Sequence, residues 1–297
     1  MAVTNGFPRQ YFVAGAFALL LVICCRTSYA NNSYTPQRGQ SGKDVVWIAT
    51  QDALVVKMLS AAKVTDQDLV YDLGAGDGII PIIAAKQFGA RAIGIEYNEK
   101  LATLAQANAL RSGVGDKVKI IQGDIFVEDF SKATVVTLYL LEELNAKLRP
   151  QILKMKPGTR VVSNTFSMGD WEPDQVIDSN GQTAYLWTVP AQVGGSWIVS
   201  GINSDWKSNT SHIYFVQRHQ RLSGKMTVGG KDKVLFGARI EGNVLHFSFL
   251  DPQDELKHVK ASIVNNQWIG EVVSPYGMVE FKLPVQKITA VRSVNNQ

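Results

Sequence analysis

A chain of 297 residues that is 45% hydrophobic and 19% charged has enough apolar material for one large folded domain or two ordinary ones, which excludes a disordered tail. The formal charge of +4 includes Arg9 and Arg26 in an N-terminal stretch without acids, so the residues beyond 30 carry 28 basic against 26 acidic side chains. The bases form no arginine-rich or lysine-rich tract, and this balance argues against a nucleic-acid partner.

The N-terminus supplies the first element. Arg9 closes a short polar opening, Tyr11–Cys25 is an almost unbroken apolar run, and Ser28-Tyr29-Ala30 sets small residues around one position. That order predicts a signal peptide over residues 1–30, cleavage after Ala30, and export to the periplasm or cell envelope. Its apolar run is shorter than the ~20 residues that span a bilayer comfortably. An uncleaved membrane anchor is the alternative, because Arg26 stands in the cleavage region. The two cysteines, Cys24 and Cys25, leave with the leader, so the mature chain is expected to use no disulfide, thiolate metal site or cysteine nucleophile. Residues 31–43 are polar and aperiodic and read as a flexible linker.

From Asp44 helix and strand patterns alternate. Helical spacing over Asp52–Lys63 precedes a strand at Leu69–Leu73, a helix over Ile79–Gln87 and a strand at Ala92–Glu96. A helix over Glu99–Arg111 and strands at Val118–Gln122 and Ala133–Leu138 follow. A helix over Glu143–Met155, broken near Pro150, leads to a strand at Thr159–Ser163. This alternation predicts an α/β domain over residues 44–192, with a parallel sheet and right-handed crossovers. Past Pro190 the helical period disappears. Short β-rich runs at Ser196–Ser200, His212–Gln217, Gly224–Val228, Val234–Arg239, Val244–Phe249, Ala261–Val264, Gln267–Val273 and Val279–Leu283 predict a small antiparallel all-β domain over residues 193–297, a sandwich or barrel. Val193-Gly194-Gly195 reads as the joint, although Thr183–Val189 and Ser196–Ser200 can also be drawn as a hairpin completing the first sheet.

The chemistry concentrates around the first strand. Asp72, Gly74, Gly76 and Gly78 form a D-x-G-x-G-x-G turn between strand and helix. A dinucleotide fold wants a glycine three residues after Gly76, and Ile79 stands there instead. The observed form is the one associated with S-adenosylmethionine (SAM), whose carboxylate can meet free N–H groups at a helix start while Asp72 holds its ammonium. Glu96, eighteen residues after Gly78, ends the second strand, where a carboxylate can accept both ribose hydroxyls. Asp124 follows the third strand and can accept from an adenine amino group while Ile125 packs on the ring. Thr137–Leu141 leaves the fourth strand at the edge where open α/β sheets bind ligands.

With these residues in place, the chain resembles the class I SAM-dependent methyltransferases. More narrowly, it is similar to bacterial relatives of the mitochondrial lysine methyltransferases that modify the ATP synthase c-ring protein and adenine nucleotide translocase. The stretches VYDLGAGDG, RAIGIEYN, IQGDIF, ATVVTLYLLEELN and KLRPQILKMKPGTRVVSNTFSMGDWEPD carry the resemblance, across roughly Val45–Pro190. It implies a Rossmann-like class I sheet, SAM as cofactor, and methyl transfer to an amine, with protein lysine favoured over a small-molecule amine. In that pattern an arginine often follows the last glycine and a proline follows the Leu-Leu pair, where this chain has Ile79 and Glu142. The reaction implied is in-line attack on the sulfonium methyl, which needs an aligned, deprotonated nucleophile. Tyr139 and Glu142 are the candidates for lining the catalytic position, with Glu143 close behind. The region lacks an Asn-Pro-Pro-Tyr motif, which weakens a nucleobase or glutamine acceptor.

The remaining candidates are plainer. His212, His219, His246 and His258 show no metal-ligand spacing, so no metal is expected. Trp171 reads as loop packing, and Trp187, Trp197, Trp206 and Trp268 as anchors of the β domain. Two further readings stay open: an exported, non-catalytic binding protein on this fold, and a small-molecule or lipid methyltransferase that touches the membrane through an uncleaved leader.

Overall fold

A computed structural model of the chain describes residues 1–2, 6, 34–40, 42–202, 210–228, 230–273 and 286–293. The chain divides into two compact units, Met1–Tyr34 and Thr35–Gln297. The expected leader lies outside the described residues, apart from Met1, Ala2 and Gly6. Among the described residues no helix is long and apolar enough to cross a membrane. The segment read as a linker carries backbone hydrogen bonds in its described part, Gly39 N–H to Trp47 O and Trp47 N–H to Gln40 O.

The α/β half begins with α1 (Asp52–Ala61), whose apolar positions bury Leu54, Val55, Met58 and Leu59. It continues through β1 (Leu69–Leu73), α2 (Ile79–Phe88), β2 (Arg91–Glu96), α3 (Glu99–Arg111), β3 (Val118–Gln122), β4 (Val135–Leu138), α4 (Glu142–Ile152) and β5 (Arg160–Asn164). Two more strands, β6 (Gln175–Ser179) and β7 (Gln182–Thr188), complete a sheet of order β3-β2-β1-β4-β5-β7-β6. β1 to β5 are parallel, and β7 runs antiparallel between β5 and β6. Alternation along each strand covers both faces of the sheet. Val70, Val135 and Val162 pack with α1 and α2, while Tyr71, Val136 and Val161 pack with Leu148 and Ile152 of α4.

Three details differ from the sequence reading. α4 starts at Glu142 and runs through Pro150 to Ile152. Pro150 lies in the last turn, so its missing N–H removes only one bond near an end that is already fraying. Thr183–Val189 does not form a hairpin with Ser196–Ser200; its residues belong to β7, which turns back from β6 through Asn180 (φ 53°) and Gly181 (φ 78°). That Asn-Gly pair supplies two consecutive left-handed residues, as a two-residue hairpin needs. Trp187 therefore anchors the first sheet, stacked at 6.0 Å from Trp171.

The second half is built from β8 (Gly195–Ser200), β9 (Thr210–Arg218), β10 (Arg221–Val228), β11 (Lys231–Val234), β12 (Phe236–Glu241), β13 (Val244–Leu250), β14 (Leu256–Val264), β15 (Gln267–Val273) and β16 (Gln286–Arg292). Sequential antiparallel pairs run from β12 to β16, then β8 and β9, and β9 pairs back onto β10 to close a barrel. The expected strand Val234–Arg239 is interrupted at Leu235, which turns inward and divides β11 from β12. The expected strand Val279–Leu283 and Trp206 lie outside the described residues. Inward positions fill the barrel with Trp197, Phe215, Phe247, Phe249 and Trp268, including edge-on contacts of Phe247 with Phe215 and Trp268. The stretch between the two sheets is tied down: the Gln217 side chain accepts from Val193 and Gly194 N–H and donates to Ala191 O.

Candidate active site

A cavity of about 490 Å³ opens at the C-terminal edge of the first sheet, where β1 and β4 diverge. This is the topological switch point at which open α/β sheets bind their ligands, and the volume falls in the range of small-molecule sites. Asp72, Gly74, Gly76, Glu96, Asp124, Ile125 and Tyr139 all line it. The structure thus gathers onto one wall residues spread over nearly seventy positions of sequence.

Two buried carboxylates dominate the floor. Asp72 accepts a hydrogen bond from Thr137 Oγ1 at 2.7 Å. Burial, with a further push from the neighbouring Glu96 and Asp77 carboxylates, raises its pKa to about 7 despite that bond. Glu96 accepts from Gly76 N–H at 2.8 Å and from Asn98 N–H at 2.9 Å. Burial raises its pKa as well, with the backbone donors working against the shift. Neither forms a salt bridge among the described residues. Two acids held close in a dry wall, without a protein cation, form a site for a cationic ligand with hydroxyl donors.

Asp124 sits nearer solvent, where Lys43 Nζ approaches its Oδ2 at 2.7 Å and Phe126 N–H binds its Oδ1. The Lys43 hydrogen bond holds the Asp124 carboxyl below its ordinary range. The glycines divide in role. Gly74 (φ 86°) and Gly76 (φ 57°) lie on the wall, and a Cβ on Gly76 would meet the Trp47 indole at 2.7 Å. Gly78, expected beside the cofactor, stands off the wall; its Cβ would meet Ala105 Cβ at 3.0 Å, so bareness there lets α2 and α3 pack closely.

The opposite end of the cavity is aromatic. Tyr139 and Phe166 face each other with ring centroids 6.5 Å apart. Glu142, expected to line the catalytic position, is not on the wall. It is exposed at the start of α4, and its Oε1 accepts from Ser167 Oγ at 2.7 Å. As the first residue of α4, its side chain follows the helix face toward the loop after β5 and away from the cavity. Glu143 is exposed beside it.

Sequence reasoning missed three contributors. Trp47 and its neighbours Val45–Thr50 cross the cavity as a strap, and the apolar run VVWIAT ahead of α1 is the signal that could have found it. Lys43 falls in the segment read as a linker. Thr165 and Phe166 come from a three-residue turn after β5, closed by Phe166 N–H on Asn164 O with Thr165 at φ 67°. Nothing local in the sequence announces a β-branched residue in that region.

Known proteins share this arrangement. A family profile described as the ANTKMT methyltransferase domain matches residues 72–175. A protein-lysine N-methyltransferase from Saccharolobus islandicus is 44% identical over 151 residues, 49% of this chain and 94% of that protein. The chain belongs to the class I SAM-dependent methyltransferases. This methyltransferase is also 30% identical over 126 residues to the mouse lysine N-methyltransferase of the ATP synthase c-ring protein, covering 42% of this chain and 51% of the mouse protein. A crystal structure of an RNA methyltransferase from Salinibacter ruber with S-adenosyl-L-homocysteine shares 48% identity over 49% of this chain and 96% of that one, with a TM-score of 0.48. The methyltransferase's cofactor is SAM, and the cavity suits it. Buried, unpaired acids answer the positive charge of the cofactor, and the bare Gly74 and Gly76 backbone gives it room.

Proposed function

We propose that the enzyme methylates an amine nitrogen, with protein lysine as the acceptor class. Support for the acceptor comes from the Saccharolobus enzyme, whose name assigns it protein lysine and which this chain matches over 94% of its length. The named acceptor of the mouse relative points the same way. The binding-protein and lipid readings have no comparable support.

The roles follow from the wall. Asp72 holds the cofactor's ammonium, Glu96 accepts the ribose hydroxyls, and Asp124 takes the adenine amino group once Lys43 yields it. Ile125 packs on the adenine, and Gly76 lets the cofactor pass under Trp47. When bound, SAM supplies a methyl group on a sulfonium that leaves as a neutral thioether. Tyr139 and Phe166 then frame a narrow mouth through which an unbranched amine can reach that carbon in line. The aromatic faces favour a cationic head on entry, and the amine loses its proton to water before attack, since Glu142 is turned toward Ser167.

The test is transfer of labelled methyl from SAM to poly-L-lysine, run beside total RNA. Label on poly-L-lysine, recovered as methyl-lysine, is the expected result. SAM binding with label only on RNA, or on neither polymer, would overturn the acceptor assignment.

A further inference from the structure

The loop from Thr165 to Asp174 carries the aromatic mouth of the site, and two bodies hold it. From one side α4 presents three residues spaced by three and four positions, which places them on one helix face. Glu142 receives Ser167 Oγ, the Asn145 amide donates to Phe166 O and Ser167 O at 3.2 and 3.1 Å, and Arg149 donates to Met168 O at 2.7 Å and pairs with Asp170.

From the other side comes the two-residue turn between β9 and β10 of the barrel. Arg218 donates to the second oxygen of Asp170 at 2.9 Å, so that carboxylate is shared between α4 and the barrel. Gln220 Oε1 is the acceptor for the indole N–H of Trp171, a fully buried side chain, at 3.0 Å. The same amide donates to Glu172 O at 2.7 Å and to Asp174 at 3.2 Å, and Arg221 reaches Glu172 at 2.7 Å. His219 lies 5.8 Å from the Trp171 ring. What the clamp protects is strained. Thr165, β-branched and at φ 67°, lines the cavity next to Phe166. Such a backbone persists only where its surroundings over-determine it.

We propose that the β9–β10 turn is a brace for the acceptor end of the active site, with Arg218 and Gln220 acting as positioning residues through the loop that carries Thr165 and Phe166. The barrel thereby gains a part in methyl transfer without touching either reactant. The cofactor end is held by β1, β2 and α2 and does not depend on the brace. The inference rests on the acceptor entering between Tyr139 and Phe166.

The experiment uses the full chain with Arg218→Ala, Gln220→Ala and Arg218→Lys, and reads three quantities. Amide exchange over residues 165–171 is expected to quicken about tenfold in Gln220→Ala, because its removal strands the Trp171 donor. The apparent KM for poly-L-lysine is expected to rise about fivefold or more, since misplacement of a positioning loop is felt in alignment. The SAM dissociation constant, by calorimetry, is expected to stay within about twofold of the parent, the cofactor contacts being untouched. Arg218→Ala gives a smaller effect of the same kind, because its ion pair is exposed, and Arg218→Lys restores it. Unchanged exchange in both alanine variants would overturn the brace, and so would SAM affinity falling in step with KM, which marks general loosening. A parent enzyme that binds SAM but leaves poly-L-lysine unmethylated would sink the acceptor assignment instead, with the exchange measurement still deciding the brace.

Discussion

Asp72 concentrates the chemistry of the site at the scale of one residue. Burial raises its pKa to about 7, so the empty enzyme holds it as a neutral acid in mildly acidic solution. A cationic cofactor binds the carboxylate form. SAM affinity should therefore climb as pH rises through about 7 and level above it, with proton release on binding near neutrality. Calorimetry at pH 6.5 in two buffers of different ionisation heat checks this, and equal heats with flat affinity would remove Asp72 from the cofactor's contacts. The same shift bears on stability. The folded pKa lies above the ordinary value of 3.8, so the folded state binds more protons and stability falls as pH rises from about 4 to about 7. At pH 8 the ionised, unpaired carboxylate is a liability on the order of 1–4 kcal/mol. Asp72→Asn keeps a partner for Thr137 and removes the charge. It should raise the urea midpoint at pH 8 while weakening SAM binding by about tenfold or more, an exchange of stability for function.

At the scale of elements, α4 joins the sheet to the mouth of the site. Leu148 and Ile152 pack it on the sheet, and Asn145, fully buried, gives its amide to Ser163 Oγ and to the carbonyls of Phe166 and Ser167. Asn145→Ala would leave those oxygens without their donor in a buried setting, at a cost of about 2–3 kcal/mol. Urea unfolding at pH 7 measures it, and a loss below about 0.5 kcal/mol, the range of ordinary surface changes, would show that water replaces the amide readily. The hairpin β6–β7 contributes differently. It was legible in principle, since Asn180-Gly181 is a strong hairpin signal. Its strands were missed because β6 alternates weakly, with Gln175, Val176 and Asp178 all exposed.

For the whole molecule, the barrel and the α/β half share buried contacts. Trp171 hydrogen-bonds to Gln220 of the barrel, and the Ala191 N–H binds Gly242 O. A cofactor that stabilises one half should then stabilise both. SAM at one hundred times its dissociation constant adds about 2.7 kcal/mol to the folded state. Scanning calorimetry should show one unfolding transition that moves upward with SAM. A second transition indifferent to SAM would mean that the two halves unfold separately.

The cofactor wall could be read from residue order alone. Asp72, the glycines, Glu96, Asp124 and Ile125 each stand at the C-terminal end of a strand or in the turn behind it, and a parallel sheet with short crossovers must bring such ends to one edge. The alternation of Val70 with Tyr71 and of Val135 with Val136 likewise announced strands covered on both faces. Other features depended on contacts between distant segments. The role of Gly78 in helix packing depends on Ala105, and the turning of Glu142 toward Ser167 depends on where the loop after β5 is held. The strap over Gly76 and the grip of the barrel turn on Trp171 are likewise contacts between segments that no local pattern couples. Strand ends and turns obey local geometry, which sequence records. The direction in which a side chain points, and what it meets there, is set by which segments pack together, and only the tertiary structure decides that.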